Sequence, residues 1–284
     1  MTDEDPVLVL GATSLVGRFL TPRLVAQGRP VFALSRVERP PVQGLDWLVG
    51  DLAEPARLPA AGVFGAVFSV SPIWLLTDPA LEALHRLGMR RLVAFSSTSR
   101  FTKTVSGAAA ERATAAALAD GEARVEAFCR AAGVGFTVLR PTLIYAEGQD
   151  GNVSRLAALI RRFCVLPLPG GGPGLRQPVH ADDLAAVAIE AMARPATNRA
   201  YDTPGGETLT YRAMAERVFE GLGRRPLILP LPLPLMRLGY ALARPWLPNS
   251  TAEMIERVSE DLVFDPAPAV QDLAWSPRGF RPRF

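Results

Sequence analysis

The amino-acid sequence predicts an α/β protein built on a doubly wound parallel sheet, with a small C-terminal substrate subdomain beside it. Three observations carry this expectation. Short apolar runs alternate with helical stretches through the first half of the chain, a glycine-bearing turn joins the first run to the first helix, and 49% of the 284 residues are hydrophobic against 21% charged. Such alternation builds parallel strands linked by crossover helices, and a chain of this length buries a substantial core.

The expected strands are Val7 to Leu10, Val31 to Leu34, Asp46 to Val49, Ala66 to Val70, Leu92 to Ser96 and Phe136 to Leu139. Each is a short, largely apolar run with β-branched residues in it, bounded by turn residues. Helices are expected at Ser14 to Gln27, Pro79 to Leu87 and Ala109 to Ala132, with Leu118, Val125 and Phe128 sharing one face of the last. Pro22 lies inside the first helix, where it should bend the axis.

After Tyr145 the rhythm changes. The sequence predicts a helix over Val153 to Phe163, a loop PLPGGGPGLRQP, a short strand into His180, a helix over Ala181 to Ala193, and helices at Tyr211 to Leu222 and Ala252 to Leu262. Residues 1–145 then read as the dinucleotide-binding core. Residues 146–284 form a mixed region that completes the core near 176–203 and supplies the smaller subdomain.

Composition narrows the function. The net charge is only +3, Lys103 is the sole lysine, and no stretch interleaves arginine with aromatics, so a nucleic-acid role is not expected. Cys129 and Cys164 stand in helical stretches without zinc or disulfide spacing, and buried free thiols are expected. The start MTDEDP lacks the basic and apolar regions of a signal peptide, which gives a cytoplasmic expectation. Pro226 to Pro248 is apolar but broken by six prolines and two arginines, so it reads as a strand and a short helix, not as a stable membrane insertion.

The first strand runs directly into Gly11-Ala12-Thr13-Ser14-Leu15-Val16-Gly17 and then an apolar helix. In that setting Gly11 allows a tight turn, Gly17 allows helix to lie close on strand, and the helix N-terminus offers amide N–H groups to a diphosphate. Strand, turn, helix and second strand in this order are a Rossmann-type arrangement. Ser14 stands where a glycine is usual; its small side chain can donate to phosphate but crowds the backbone approach. The second strand ends Ser35-Arg36, where an NAD site carries a carboxylate for the ribose hydroxyls. A guanidinium there suits a 2′-phosphate instead, so NADP(H) is favoured over NAD(H). A plain solvated surface cation is the competing reading of Arg36.

With these residues the sequence resembles the extended and atypical short-chain dehydrogenase/reductases, the NAD(P)-dependent epimerase/dehydratase-like group. Further motifs in the same order carry the resemblance: Gly50-Asp51-Leu52, Ala94-Phe95-Ser96-Ser97-Thr98, Arg140-Pro141-Thr142 and His180-Ala181-Asp182-Asp183-Leu184. The resemblance implies that Asp51 and Leu52 lie near the adenine. It places Ser69, Val70 and Ser71, followed by Pro72, along the cofactor trough together with Ser96 and Ser97, and Pro141, Thr142 and Leu143 near the nicotinamide. It gives Thr98 the place of a catalytic hydroxyl; capping of the strand end is the alternative.

One departure stands against this likeness. Family enzymes carry a Tyr and a Lys four residues apart on the helix after the Ser-Ser strand, as a proton-exchanging pair. Here that helix reads ERATAAALADGEARVEAF, and counting from Glu126 puts Leu118 and Glu122 at the two positions. Lys103, Tyr145, Glu122 and Arg100 are the nearest replacement proton donors in sequence, with Thr98, Lys103 and Tyr145 as the catalytic candidates.

Other constellations point to structure. His85 lies among leucines and is expected at or near the surface. His180 with Asp182 and Asp183 suggests a helix cap by one of the aspartates and no metal site. The GGGPG loop lacks the Lys-Ser/Thr of a phosphate loop and reads as a lid or connector, with Arg176 available for an anionic substrate group. Ser96 and Ser97 lack a hydrolase elbow. Two functions follow: an NADP(H)-dependent oxidoreductase or epimerase-like enzyme acting on a small molecule as monomer or homodimer, or a non-catalytic NAD(P)-binding regulatory, redox-sensing or assembly protein.

Overall fold

The computed structural model describes residues 6–58, 62, 64–237 and 257–284. Seven strands form one parallel sheet: β1 (Val7–Leu10), β2 (Val31–Ser35), β3 (Leu45–Val49), β4 (Ala66–Ser69), β5 (Arg91–Phe95), β6 (Gly135–Pro141) and, much later in the chain, a strand at Arg199–Thr203. Their order across the sheet places β3, β2, β1, β4, β5, β6 and then the 199–203 strand side by side. The chain reverses its direction of travel at β1, whose Leu10 is in register with Leu34 of β2 on one side and Ser69 of β4 on the other. That reversal opens a crevice at the carboxyl ends of the strands, where open α/β sheets bind ligands.

All four residues of β1 are buried, without alternation, because helices cover both sheet faces. On one face lie α1 (Gly17–Ala26) and a helix at Ala181–Ala193, whose Leu20, Leu24, Leu184 and Ala188 join one apolar cluster. On the other lie α2 (Asp78–Arg86), the single-turn α3 (Ser99–Thr102) at its rim, and the long α4 (Ala109–Ala132), with Leu81, Leu84, Leu118 and Val125 in a second cluster. A third cluster gathers Tyr145, Leu156, Ile160, Val218, Phe219 and Phe280 around the later elements.

Those later elements are β7 (Ile144–Tyr145), α5 (Val153–Phe163), β8 (Leu166–Pro169), β9 (Leu175–Arg176), β10 (Val179–His180), α6 (Ala181–Ala193), β11 (Arg199–Thr203), β12 (Leu209–Thr210), α7 (Tyr211–Gly221), β13 (Ile228–Leu231) and α8 (Ala267–Leu273). The pairs β7 with β10, β9 with β12 and β8 with β13 form three small sheets outside the main one. β11 closes the main sheet against β6, and α6 lies against α1.

Several expectations need correction. α1 begins at Gly17, not Ser14, because the Ser14 hydroxyl accepts the Gly17 amide at 3.1 Å and holds residues 11–16 as a turn. The helix then runs on through Pro22 to Ala26. The PLPGGGPGLRQP loop contains β8 and β9, joined by Gly170, Gly171 and Gly172 in left-handed conformations at φ 59°, 79° and 74°. Such a run is open to glycine and resisted by other residues. The expected helix Ala252 to Leu262 lies partly outside the described residues, and its described part is only a 3-10 turn at Arg257–Ser259. Within Pro226 to Pro248 the strand is β13 and a helical stretch starts at 233; residues 238–248 lie outside the described residues. Cys129 is buried, but Cys164 is exposed at the left-handed C-cap of α5.

Candidate functional site

Because the main strands are parallel, their carboxyl ends share one edge, and the sequence-selected residues collect there from β3 across to β6. At the centre lies the turn after β1. Gly11 has φ +82°, and a Cβ on it would stand 2.8 Å from the Ser71 amide nitrogen and 3.0 Å from the Val70 carbonyl carbon. A Cβ on Gly17 would stand 2.4 Å from the Gly11 oxygen and 2.6 Å from that of Ala12. Real Cβ contacts this short do not occur, so both positions require glycine: one lets the turn slide under the β4 end, the other lets α1 close on the turn.

This packing shapes a donor surface. The Ser14 amide bonds Gly11 and the Gly17 amide bonds Ser14, while the amides of Leu15 and Val16 have no protein acceptor among the described residues. They stand at the start of α1, where the helix macrodipole also favours an anion. Ser14 therefore acts first as a cap, its hydroxyl proton still available. Thr13 is exposed and its carbonyl takes the Arg18 guanidinium at 3.2 Å, while Ala12 is buried. A diphosphate fits the glycine cradle and its free amides.

On the β2–β3 side, Ser35 is buried, its hydroxyl donating to the Val37 carbonyl at 2.7 Å and accepting from Arg39 Nε at 3.3 Å. Arg36 is exposed and has no carboxylate partner among the described residues. Asp51 folds back on the Ala53 amide at 2.9 Å, and Leu52 is buried beneath it. On the β4 side, Ser69 and Ser71 share a hydroxyl contact of 3.1 Å.

Beyond β5 the character of the edge changes. Glu122 of α4 is buried at 6% exposure and gathers every neighbouring donor. The Ser96 hydroxyl donates to it at 2.5 Å, Arg140 reaches it through Nε at 3.0 Å and Nη2 at 2.5 Å, and Arg100 bonds the same carboxylate. Both guanidiniums lie over the Phe101 ring, at 4.9 and 5.2 Å. Arg140 also faces Asp202, its register partner on β11, at 3.7 Å. Burial raises the Asp202 carboxyl above its ordinary value against the opposing pull of Arg140.

The three catalytic candidates do not converge. Thr98 is buried, and its hydroxyl and amide both donate to the Pro141 carbonyl, at 3.1 and 3.2 Å, so it ties β5 to β6. Lys103 pairs with Glu111 at 3.8 Å, alongside Ser106 and Arg257 on the same carboxylate; burial, aided by the Arg257 charge, lowers its ammonium below the usual lysine range. Tyr145 is 1% exposed and sits edge-on to His180 and Phe280, at 5.0 and 4.9 Å. Burial first, then the Glu147 charge, pushes its phenol upward, away from an ionisable proton donor. Of the remaining residues, Ser97 accepts from the Ser99 amide, the Thr142 hydroxyl bonds the Gln177 carbonyl, and Leu143 lies against the third cluster.

Two side chains have other duties than expected. Arg176 is buried and spends its guanidinium on the carbonyls of Leu175, Glu260 and Arg257, so it pins the segment after residue 256 and does not face solvent for an anion. The cap of α6 is His180, whose Nδ1 accepts the Asp182 amide at 3.0 Å; Asp182 and Asp183 instead hold Arg23 and Arg278. Among the described residues no cluster of three or more His, Cys, Asp or Glu is placed to hold a metal.

Glu126, from which the missing pair was counted, is exposed and bonds Arg130, whereas Glu122 is the buried carboxylate of α4. The signal was in the sequence: Glu122 shares its stripe with Leu118, Val125 and Cys129, all buried. In any register α4 contains neither Tyr nor Lys.

Residues 73–203 match the model of the NAD dependent epimerase/dehydratase family. A 103-residue segment is 25% identical to the mitochondrial NADH dehydrogenase [ubiquinone] 1 alpha subcomplex subunit 9 of Arabidopsis thaliana, covering 36% of this chain and only 25% of that protein. UDP-glucose 4-epimerase of Thermus thermophilus, solved in complex with NAD, shares the fold at TM-score 0.67 and 19% identity, over 97% of this chain and 95% of that one. MoeE5, solved with UDP-glucuronic acid and NAD, does so at TM-score 0.72 and 21% identity, over 97% and 94%. The likeness to the NAD dependent epimerase/dehydratase family therefore rests on residues 73–203, which include the Ser96–Thr98, Arg140–Thr142 and His180–Leu184 motifs.

Proposed function

We propose that the protein binds NADP(H) across the carboxyl edge of its sheet and acts as an oxidoreductase or epimerase-like enzyme on a small molecule. The observation that carries this reading is the β1–α1 turn, where glycine is required at positions 11 and 17 and the Leu15 and Val16 amides have no protein acceptor among the described residues. Arg36 and, behind it, Arg39 supply cations beside the β2 end, with no carboxylate at the position after Ser35. That favours a 2′-phosphate over a bare ribose diol. When bound, the nicotinamide supplies hydride exchange. The protein's part is to hold it at the β5–β6 end, with Thr98 and Pro141 fixing the wall.

A second reading, binding without turnover, has its own support. Thr98, Lys103, Tyr145 and Glu122 are each engaged by protein partners or buried, and the Arabidopsis relative is named as an NADH dehydrogenase subcomplex subunit. One experiment separates the readings. NADPH-loaded protein is offered a panel of carbonyl compounds and nucleotide sugars while the reduced-nicotinamide absorbance is followed. Loss of absorbance, or an epimerised nucleotide sugar found by product analysis with NADP+ in place of NADPH, since epimerisation returns the hydride it takes, supports the enzyme; saturable binding with neither outcome across the panel supports the second reading. For the coenzyme, Arg36→Asp should lower the NADPH-over-NADH preference about tenfold, equal to about 1.4 kcal/mol. Unchanged NADPH affinity in that variant removes the phosphate argument.

A further inference from the structure

The acidic residues of this chain avoid one face. No Asp or Glu occurs from Val153 to Ala181, nor from Gly221 to Ala252. The structure brings the described parts of these two stretches together: β8 pairs with β13, so that Leu229 stands beside Pro167, and the Leu166 amide bonds the Leu227 carbonyl. Arg224 fastens the seam, its guanidinium donating to the carbonyls of Ile160 and Arg161 and to the Cys164 sulfur.

The surface so formed is apolar at its centre and basic at its rim. Phe163 is 57% exposed, Leu227 53% and Leu229 46%, while Ile228 and Leu166 between them turn inward. Arg161, Arg162 and Arg225 are exposed around this centre, and none pairs with a carboxylate among the described residues. The Arg162 guanidinium lies over the Phe163 ring at 5.3 Å and that of Arg161 over Phe284 at 5.5 Å, so the cations sit directly against the aromatic surface. Arg278, by contrast, is held by Asp182 and Asp183.

We infer that this α5–β8–β13 face is a docking surface for an anionic lipid bilayer. Exposed Phe and Leu side chains surrounded by unneutralised guanidiniums match a surface that is negative outside and apolar within, and attraction of this kind scales with the number of basic residues. No helix among the described residues is long and apolar enough to cross a membrane, so the contact is peripheral.

The test is co-sedimentation of the full chain with vesicles of phosphatidylcholine alone and with vesicles containing about one-third phosphatidylglycerol. Binding to the anionic vesicles should be at least about tenfold stronger and should fall as salt is raised. The Arg162→Glu/Arg225→Glu double variant should lose that advantage. Phe163→Ser/Leu229→Ser should weaken binding while keeping its salt dependence. NADPH affinity should stay unchanged in both, which reports that the fold is intact and keeps this outcome separate from the coenzyme proposal. Equal sedimentation with neutral and anionic vesicles overturns the inference. So does a dimer in analytical ultracentrifugation that these variants dissociate, which would assign the face to a second copy.

Discussion

The two ends of the crevice are built on opposite principles. At the β1–α1 turn the protein leaves donors open, with the Leu15 and Val16 amides unclaimed and Arg36 exposed. At the β5–β6 end it closes them, with Ser96, Arg100 and Arg140 all spent on Glu122 and Thr98 on Pro141. Open donors of fixed geometry await a ligand, whereas a satisfied buried network holds structure together. The difference separates binding, which the first region is shaped for, from proton transfer, for which the second has Thr98 and Glu122 already committed to protein partners.

The largest expected effect tests the closed end. Glu122→Ala leaves the half-buried Arg100 and Arg140 guanidiniums facing each other without their shared carboxylate. Removing one partner of a buried ion pair costs about 3–5 kcal/mol, so chemical denaturation should show a loss of that order. A loss below about 1 kcal/mol would mean that water solvates the cluster and that this end is not closed.

A smaller effect is expected at Thr98. Thr98→Val removes one buried hydroxyl bond and should cost about 1 kcal/mol, with NADPH affinity unchanged. A collapse of any measured turnover with stability intact would instead make the hydroxyl catalytic and sharpen the oxidoreductase reading.

The smallest effect lies away from the crevice, where the C-terminal strap meets the core. The hydrogen bond from Arg217 holds the Glu207 carboxyl below its ordinary value, with the Phe280 amide and Arg281 adding to it against a modest burial effect. A carboxyl depressed in the folded state contributes stability above its unfolded value, about 4.3, and loses it as the pH falls through the lower folded value. Glu207→Gln should therefore flatten the decline in stability below about pH 4.5 and leave the neutral-pH crevice untouched. An identical acid limb in both proteins would show that the strap contacts are too solvated to matter.

These regions differed as much in legibility. The six early strands fall within two residues of their expected ends because most are short, largely apolar runs buried in the sheet, and the glycine turn was readable because only glycine satisfies its contacts. The proline-bearing β8 and β13 were harder. Proline weakens the strand signature, and such strands survive as a two-stranded pair outside the main sheet. Least readable were partnerships across long sequence separations. Nothing local announces that Arg176 is consumed by carbonyls after residue 256, that Arg23 reaches Asp182, or that His180 caps α6 in place of the aspartates. Glu122 was readable in part: its apolar stripe placed it inward, but the two arginines that hold it come from α3 and β6.

The most direct test of the account is a calorimetric titration of NADPH into the wild-type chain and into Gly17→Val, with circular dichroism confirming that the variant is folded. The account predicts saturable binding of one NADPH per chain, weakened at least about tenfold in the variant, a loss of about 1.4 kcal/mol or more, because a side chain at position 17 forces α1 off the turn. Absence of heat with the wild-type chain, or equal affinity in the two proteins, would contradict it.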